Sequence, residues 1–293
     1  MPKFLFLFIL SFSFAQTVSD YAYTHAKVAA MAGAVVAETG SNWSIFHNPA
    51  GITEIEGTHL SAGSGNLFGF KWLPTYNLGG TAPLPVIGKI GFAFQQLETK
   101  YSGKTLSKEQ TLSLAHGFDL QHDKNSRLAI GYTANFVQWD LGKSAGVSGD
   151  GSDGLELGNI NSITIDFGVL ASLREKYRFG VFLKNINSGA LGKGMTRQVL
   201  PQRINVGITY MPMTGLATSI VSEHLLGRDD MQIKGAVKYT LNPHIKIYAG
   251  AQSNPNRLGV GATLALNRQS VSYGLLTHPV LPMTHQFNLG LSL

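Results

Sequence analysis

The sequence predicts an all-β fold: a transmembrane antiparallel β-barrel of fourteen strands with a small N-terminal plug segment in its lumen. Three observations predict it. The chain opens like an exported protein. It carries only 14% charged residues, with 34 glycines and no cysteine, and no later stretch is apolar for long enough to cross a bilayer as a helix. From about residue 57 onward, apolar and small or polar residues alternate with period two.

Residues 1–15 read as a secretory signal peptide. Met1-Pro2-Lys3 is a short basic start, Phe4 to Phe14 is apolar, and Ser13-Phe14-Ala15 is a small-x-small cleavage site. A retained signal anchor is the alternative, but the apolar run falls short of the roughly 20 residues a spanning helix needs. Without cysteine there is neither a disulfide framework nor a lipid-modified cysteine after the signal. The formal charge of +6 is spread along the chain with no dense basic run. It suits anionic lipid headgroups or surface glycolipid and argues against nucleic acid.

Residues 16–56 do not alternate. Asp20 to Thr39 is rich in small residues, and Ala29, Ala30, Ala32, Ala34 and Ala37 favour a helix that Gly33 weakens. Small residues permit close packing, so this segment is expected to sit inside the barrel as a plug, residues 57–293 forming the wall. Asn42 to Ile52, "NWSIFHNPAGI", would then turn the chain from plug to wall. Asn48-Pro49 reads as a turn and Gly51 as a close approach of backbones. Trp43 and Phe46 would pack in the lower lumen, Asn48 would satisfy exposed backbone groups, and Ala50 completes the turn. An exposed periplasmic tail ending in a turn is the alternative.

In the wall, Ile163, Ile165, Phe167, Val169, Ala171 and Leu173 alternate with Ser162, Thr164, Asp166, Gly168 and Ser172, Leu170 being the exception. Met231, Ile233, Gly235, Val237 and Tyr239 repeat the pattern, as do Ile204 to Tyr210 and Phe287 to Leu293. A soluble β-sandwich would alternate too, but its solvent faces would carry charge. Here the polar faces are mostly Gly, Ser, Thr, Asn and Ala, as a filled lumen requires, over runs of about nine to eleven residues. Strand centres fall near residues 62, 76, 93, 114, 132, 167, 181, 207, 219, 235, 248, 262, 273 and 288. Linkers after even-numbered strands are short: Arg174 to Lys176, Pro212 to Gly215, Leu241 to His244, Asn267-Arg268. Those after odd-numbered strands are often longer: Tyr101 to Lys108, Asp140 to Ile160, Ile186 to Gln202. Short periplasmic turns and long outer loops in this phase put both termini in the periplasm.

The Ala26 to Ala37 run, Glu38, Trp43 and then Asn48-Pro49-Ala50-Gly51-Ile52 resemble the start of the PorV/PorQ family of outer-membrane barrels, which shares a superfamily with FadL-like transporters of hydrophobic compounds. "FGVFLKNI" at Phe179 to Ile186, "LPQRINVGITYMP" at Leu200 to Pro212, and the ending with Tyr273, His278, Pro279, Thr284 and His285 extend the resemblance over most of the chain. It implies a fourteen-stranded barrel with a luminal N-terminal plug. Two features depart from the pattern. The chain is short for the long ligand-capturing loops of fatty-acid transporters, and its last residue is Leu293 where many barrels end on an aromatic, with Phe287 supplying one earlier in the final strand.

No catalytic constellation stands out. Gly142 to Gly146 matches G-x-S-x-G but lies in a Gly-rich loop rather than between a strand and a helix. Asp150, Asp153 and Glu156 lack the EF-hand spacing for Ca²⁺. The nine histidines show no zinc pattern, His278 and His285 flanking one loop being the nearest to a pair. No enzyme activity, cofactor or metal is expected. Three functions remain. The resemblance implies a component of type IX secretion that receives exported protein cargo at the surface, alongside other secretion components. Its FadL side implies passive transport of a hydrophobic ligand. A structural or adhesion barrel is the third. Each lives in the outer membrane, with lipid around it.

Overall fold

The computed structural model describes residues 25–101, 104–144, 146–149, 152–192, 197–227 and 231–293. The expected signal peptide lies outside them, as do Asp150 and the start of the expected plug segment. Period-two alternation becomes a wall of β1 (His59–Asn66), β2 (Pro74–Leu84), β3 (Gly88–Tyr101), β4 (Lys104–His122), β5 (Ser126–Asp140), β6 (Asn159–Leu173) and β7 (Tyr177–Lys184). A small hairpin of β8 (Ala190–Leu191) and β9 (Gln198–Val199) interrupts it. The wall resumes with β10 (Arg203–Met213), β11 (Leu216–Leu225), β12 (Met231–Asn242), β13 (Ile245–Gln252), β14 (Arg257–Leu266), β15 (Gln269–Leu276) and β16 (Thr284–Ser292). Each wall strand pairs antiparallel with its neighbours, and β1 pairs β16 from His59↔Ser292 to Asn66↔His285. The sheet is a closed fourteen-stranded barrel. Closure leaves the wall without a sheet edge, the condition under which strands cross lipid.

All fourteen expected centres fall inside wall strands. Short turns gather at one end, at residues 85–87, 123–125, 174–176, 214–215, 243–244 and 267–268; longer connections at the other include 141–158 and 185–202. The expected linker from Tyr101 to Lys108 is corrected: β3 runs through Tyr101 and β4 begins at Lys104. Lys and Thr at a strand end read as loop in isolation, but here they pair across the hairpin, Lys100 with Thr105 and Thr99 with Ser107. Strand length is likewise uneven, from 8 residues in β7 to 19 in β4. Strands β3 to β6 therefore project past their neighbours at the long-loop end. Strand β7 pairs β6 only from Phe167 to Leu173. Higher on β6, Asn187 bonds Ile163 O and Ile165 N.

The two faces of the wall divide by chemistry. Ile163, Ile165, Ile233, Val237, Phe287, Leu289 and Leu291 are exposed, forming an apolar exterior. Ser113, Thr133, Asn135, Thr164, Asp166, Thr209, Ser219 and Asn288 are buried, forming a polar interior. Leu170, the exception to the alternation, points inward and packs with Ala37, Ala50 and Ala129.

Residues 25–56 lie inside this wall, touching β13 to β16 on one side and β3 to β6 on the other. They form helix α1 (Ala26–Ala30), helix α2 (Ser44–His47) and a 3-10 turn (Pro49–Glu54). The helix expected through Ala37 ends at Ala30, because Ala32 and Gly33 take left-handed backbone (φ 47° and 79°) and turn the chain. Luminal glycines make room for the close approach. A Cβ at Gly250, Gly259 or Gly274 would collide with the backbone of Met31, Ala29 or Ala26.

Candidate functional site

Polar contacts hold the inner segment to the wall along its length, among them Ala26 N–H to Asn288 Oδ1, Asn42 Nδ2 to Gly79 O and Thr133 Oγ1 to Ile45 O, and the Asn-Pro-Ala-Gly turn makes the central set. Asn48 is fully buried with extended backbone. Its Nδ2 donates to Val36 O (2.7 Å) and to Val169 O of β6 (3.0 Å), while its Oδ1 accepts from Ala50 N–H (3.2 Å). One amide thus ties two stretches of the inner segment to the wall and caps the turn that Pro49 begins. The wall is shaped for it: a Cβ at Gly168 would collide with the Asn48 side chain, and one at Gly131 with Pro49 and Ala50. At Gly51 a Cβ would press on Ser44 Oγ and Glu38 O, at 3.0 and 3.1 Å. Ala50 is fully buried and packs with Ala37, Ala129 and Leu170.

Trp43 is buried, its ring stacked on Phe46 (centroids 6.2 Å apart) and tilted against His25 (5.2 Å). It rests on Gly79, midway along β2. Phe46 lines a cavity on the long-loop side of the segment. The six motif residues therefore lie together on the inner segment, with Trp43 set against the middle of β2.

Two further attachments are ionic, and sequence reasoning missed both. Glu38 binds Lys27 (2.9 Å) and, from β12, Lys238 (2.5 Å). Burial raises the Glu38 carboxyl, but Lys238 and Lys27 outweigh it and hold the group well below the usual carboxylate range. At the end of the 3-10 turn Glu54 binds Arg178 of β7 (2.9 Å) and faces Arg127 of β5 (3.8 Å). Arg127 also donates to Thr53 O. Glu38 and Glu54 flank the motif in sequence, so acidic residues on an otherwise apolar luminal segment were the available signal. Their partners, one of them 200 residues away, had none.

The other sequence features have local roles. Ser144 Oγ accepts from Leu155 N–H inside the 141–158 loop, beside the isolated antiparallel bridge of Lys143 with Glu156, and not at a strand-to-helix elbow. Asp153 accepts from the Ser148 hydroxyl and from the Ser148 and Val147 amides, and these bonds, the hydroxyl's first, hold its carboxyl low. Tyr273 and His285 bond each other on adjacent strands (2.7 Å), while His278 Nδ1 accepts from Leu281 N–H. Among the described residues no three His, Asp or Glu side chains gather in a metal-binding group.

No family model matches the chain, and no curated protein matches it. Solved structures do. The CymD monoaromatic hydrocarbon channel superposes with a TM-score of 0.68 at 12% identity, over 94% of this chain and 99% of that one. The Ralstonia pickettii toluene transporter TbuX gives 0.59 at 11% identity, over 91% and 96%. A Pseudomonas aeruginosa FadL homologue gives 0.54 at 10% identity, over 91% and 97%. At these identities the likeness is one of fold: the chain has the fold of FadL-type outer-membrane barrels.

Proposed function

We propose that this protein is a non-enzymatic barrel of the outer membrane that lets small hydrophobic molecules cross passively, with residues 25–56 as its plug. The observation that supports it best is a closed wall enclosing a folded N-terminal segment, in a fold shared nearly end to end with a hydrocarbon channel. The plug is held to the wall by polar contacts such as those of Asn48, Glu38 and Glu54 and by apolar packing, none of which belongs to the ladder of the wall, so it can leave without disturbing that ladder. The apolar exterior gives the barrel its lipid partner. Deleting the gene is expected to slow uptake of a labelled monoaromatic such as toluene, and the wild-type gene to restore it. Unchanged uptake in the deletion strain sinks the reading.

The second reading is the PorV/PorQ-like one, delivery of exported protein cargo at the surface in type IX secretion. Besides the Asn-Pro-Ala-Gly motif, one observation favours it: β3 to β6 project at the long-loop end, and the adjoining loop presents Val147, Leu155 and Leu157 to solvent. Such a surface suits protein contact better than small-molecule entry. Under this reading the deletion strain holds cargo in its periplasm while toluene uptake stays normal.

A further inference from the structure

The turn between β2 and β3 differs from the other short turns. Residues 85–87 are Pro-Val-Ile, whereas each of the other five carries a polar or charged side chain, as in Asp123 to Asn125, Arg174 to Lys176 and Asn267-Arg268. The Val86 side chain is fully exposed and that of Ile87 more than half exposed. Val86 also takes φ 76°, a left-handed backbone that a β-branched residue rarely adopts. Glycine or asparagine would fit that position without strain and would suit water. An apolar side chain held there against its own preference, and presented whole, calls for a partner that covers it.

The turn leans to the lipid-facing side. His116 alternates with Leu114 and Phe118 on the exterior face of β4, and its Nε2 donates to Ile87 O (2.8 Å), while its Nδ1 meets the Tyr132 hydroxyl of β5 (3.1 Å). Pro83 and Pro85 bring no N–H. The turn is thus poor in backbone groups that need water, as a segment in an apolar medium must be. Exposed Ile90 and Leu120 carry its apolar surface onto β3 and β4, and Asp119 turns away to Arg127 (2.7 Å). The height of the apolar exterior leads to the same place. On β12 the exposed apolar positions from Met231 to Leu241 span about 25 Å along the membrane normal, at roughly 3.3 Å per residue and a tilt of about 40°, which matches an apolar band of about 25 Å. On β4 the run from Leu112 to Leu120 spans only about 20 Å by the same measure. It does not continue toward the long loops, because Gln110 comes next on that face, bonded to Gln96 of β3, which is bonded in turn to Glu98. The missing height lies at the short-turn end, so the edge of the apolar band falls at or beyond Leu120 and the neighbouring turn.

We propose that the β2–β3 turn is a lipid anchor: Leu84 to Ile87, with Ile90 and Leu120, is immersed among phospholipid acyl chains of the leaflet at the short-turn end and sets the depth at which the β2–β5 sector sits. The occupant is lipid because the patch runs without a break into the lipid-facing exterior of the wall, in the sector where that exterior is too short without it. The same seating leaves the outer part of the β3–β4 hairpin, with Lys100 bound to Glu98 (2.6 Å), clear of the opposite leaflet. The inference concerns how the barrel is seated and holds whether or not it conducts.

The chain has no cysteine, so single cysteines can be labelled cleanly. Val86→Cys, Ile87→Cys, Asn125→Cys and Val237→Cys, each in the full chain, are labelled with bimane and refolded into nanodiscs of dioleoylphosphatidylcholine, with or without acyl-brominated phosphatidylcholine. Brominated lipid should cut the emission at residue 86 at least twofold while iodide leaves it unchanged. Residue 125, in a polar turn at the same end, should respond to iodide and not to brominated lipid. Residue 237, on the apolar exterior, should respond as residue 86 does. Ile87→Cys gives the same reading should Val86→Cys fail to fold, and heat-modifiable migration verifies the wall in each variant. The proposal alone is overturned if residue 237 is quenched by brominated lipid while residues 86 and 87 respond only to iodide, as a turn in water or one awaiting a soluble protein partner would. If residue 237 also responds only to iodide, the lipid-facing wall falls with it.

Discussion

Replacing Glu38 by Gln tests how the inner segment is held. The carboxylate is buried at 3% exposure and sits between Lys27 and Lys238, which are 14% and 19% exposed. Removing one partner of a buried ion pair typically costs about 3–5 kcal/mol, because the charge left behind is unpaired. Both lysines keep some access to luminal water, so about 2–4 kcal/mol is the fitting range here. At 1.4 kcal/mol per decade, docking of the segment should weaken about 30- to 700-fold. The wall contributes its own closed ladder and should not unfold. In planar bilayers Glu38→Gln should therefore spend more time in conducting states than the parent, with heat-modifiable migration unchanged. The triple variant Glu38→Gln, Lys27→Met, Lys238→Met removes the stranded charges along with the carboxylate and should recover most of the closure. The pH dependence follows from the same pair. The folded carboxyl is depressed, so its stabilisation is fully present above the unfolded value of roughly 4.3 and is lost only as pH falls through the lower folded value. Closure by this contact should stay flat from pH 8 to pH 5. A Glu38→Gln variant that conducts no more than the parent, or a parent that opens between pH 7 and pH 5, refutes the ionic attachment.

Three further outcomes are expected. Asn48→Leu strands Val36 O and Ala50 N–H in a dry site; at about 1–3 kcal/mol for each orphaned group it should loosen the plug, raising conductance and protease cleavage within residues 25–56 while the wall stays folded. Gly274→Ala drives a methyl into the Ala26 backbone and should displace α1 at about 1–3 kcal/mol, read as the same cleavage; a resistant segment would mean that α1 does not rest on β15 in solution. Val237→Arg puts a charge on the apolar exterior and should lower folding stability in bilayers by about 2–4 kcal/mol if the site lies near mid-membrane, measured by urea titration of heat-modifiable migration; no loss would mean that this face is not against lipid.

The sequence by itself determined the wall. A pleated strand between lipid and a filled lumen must alternate, and the alternation of Ile163 to Leu173 or Met231 to Tyr239 records that in every second residue. Turn chemistry marked the short connections for the same local reason. The sequence also marked Asn48-Pro49 as a bend, because capping and fixed φ act within three residues. Only the tertiary structure decided what the bend does. Val169, Lys238 and Arg178 become partners of the inner segment because register and closure bring them to one point, and nothing near Asn48, Glu38 or Glu54 in the chain encodes that meeting. The length of β3 and β4 past Thr99 was settled by pairing across the hairpin, not by the polar residues that form it. The halt of α1 at Ala30 goes with the left-handed backbone of Ala32 and Gly33, of which the sequence marked only the glycine. The cavity beside Phe46 is the extreme case. Lys184, Arg203, Glu223 and Lys234 lie on four strands, each an ordinary polar residue in an alternating run, and they line one cavity only because strand register brings them to one height in the lumen.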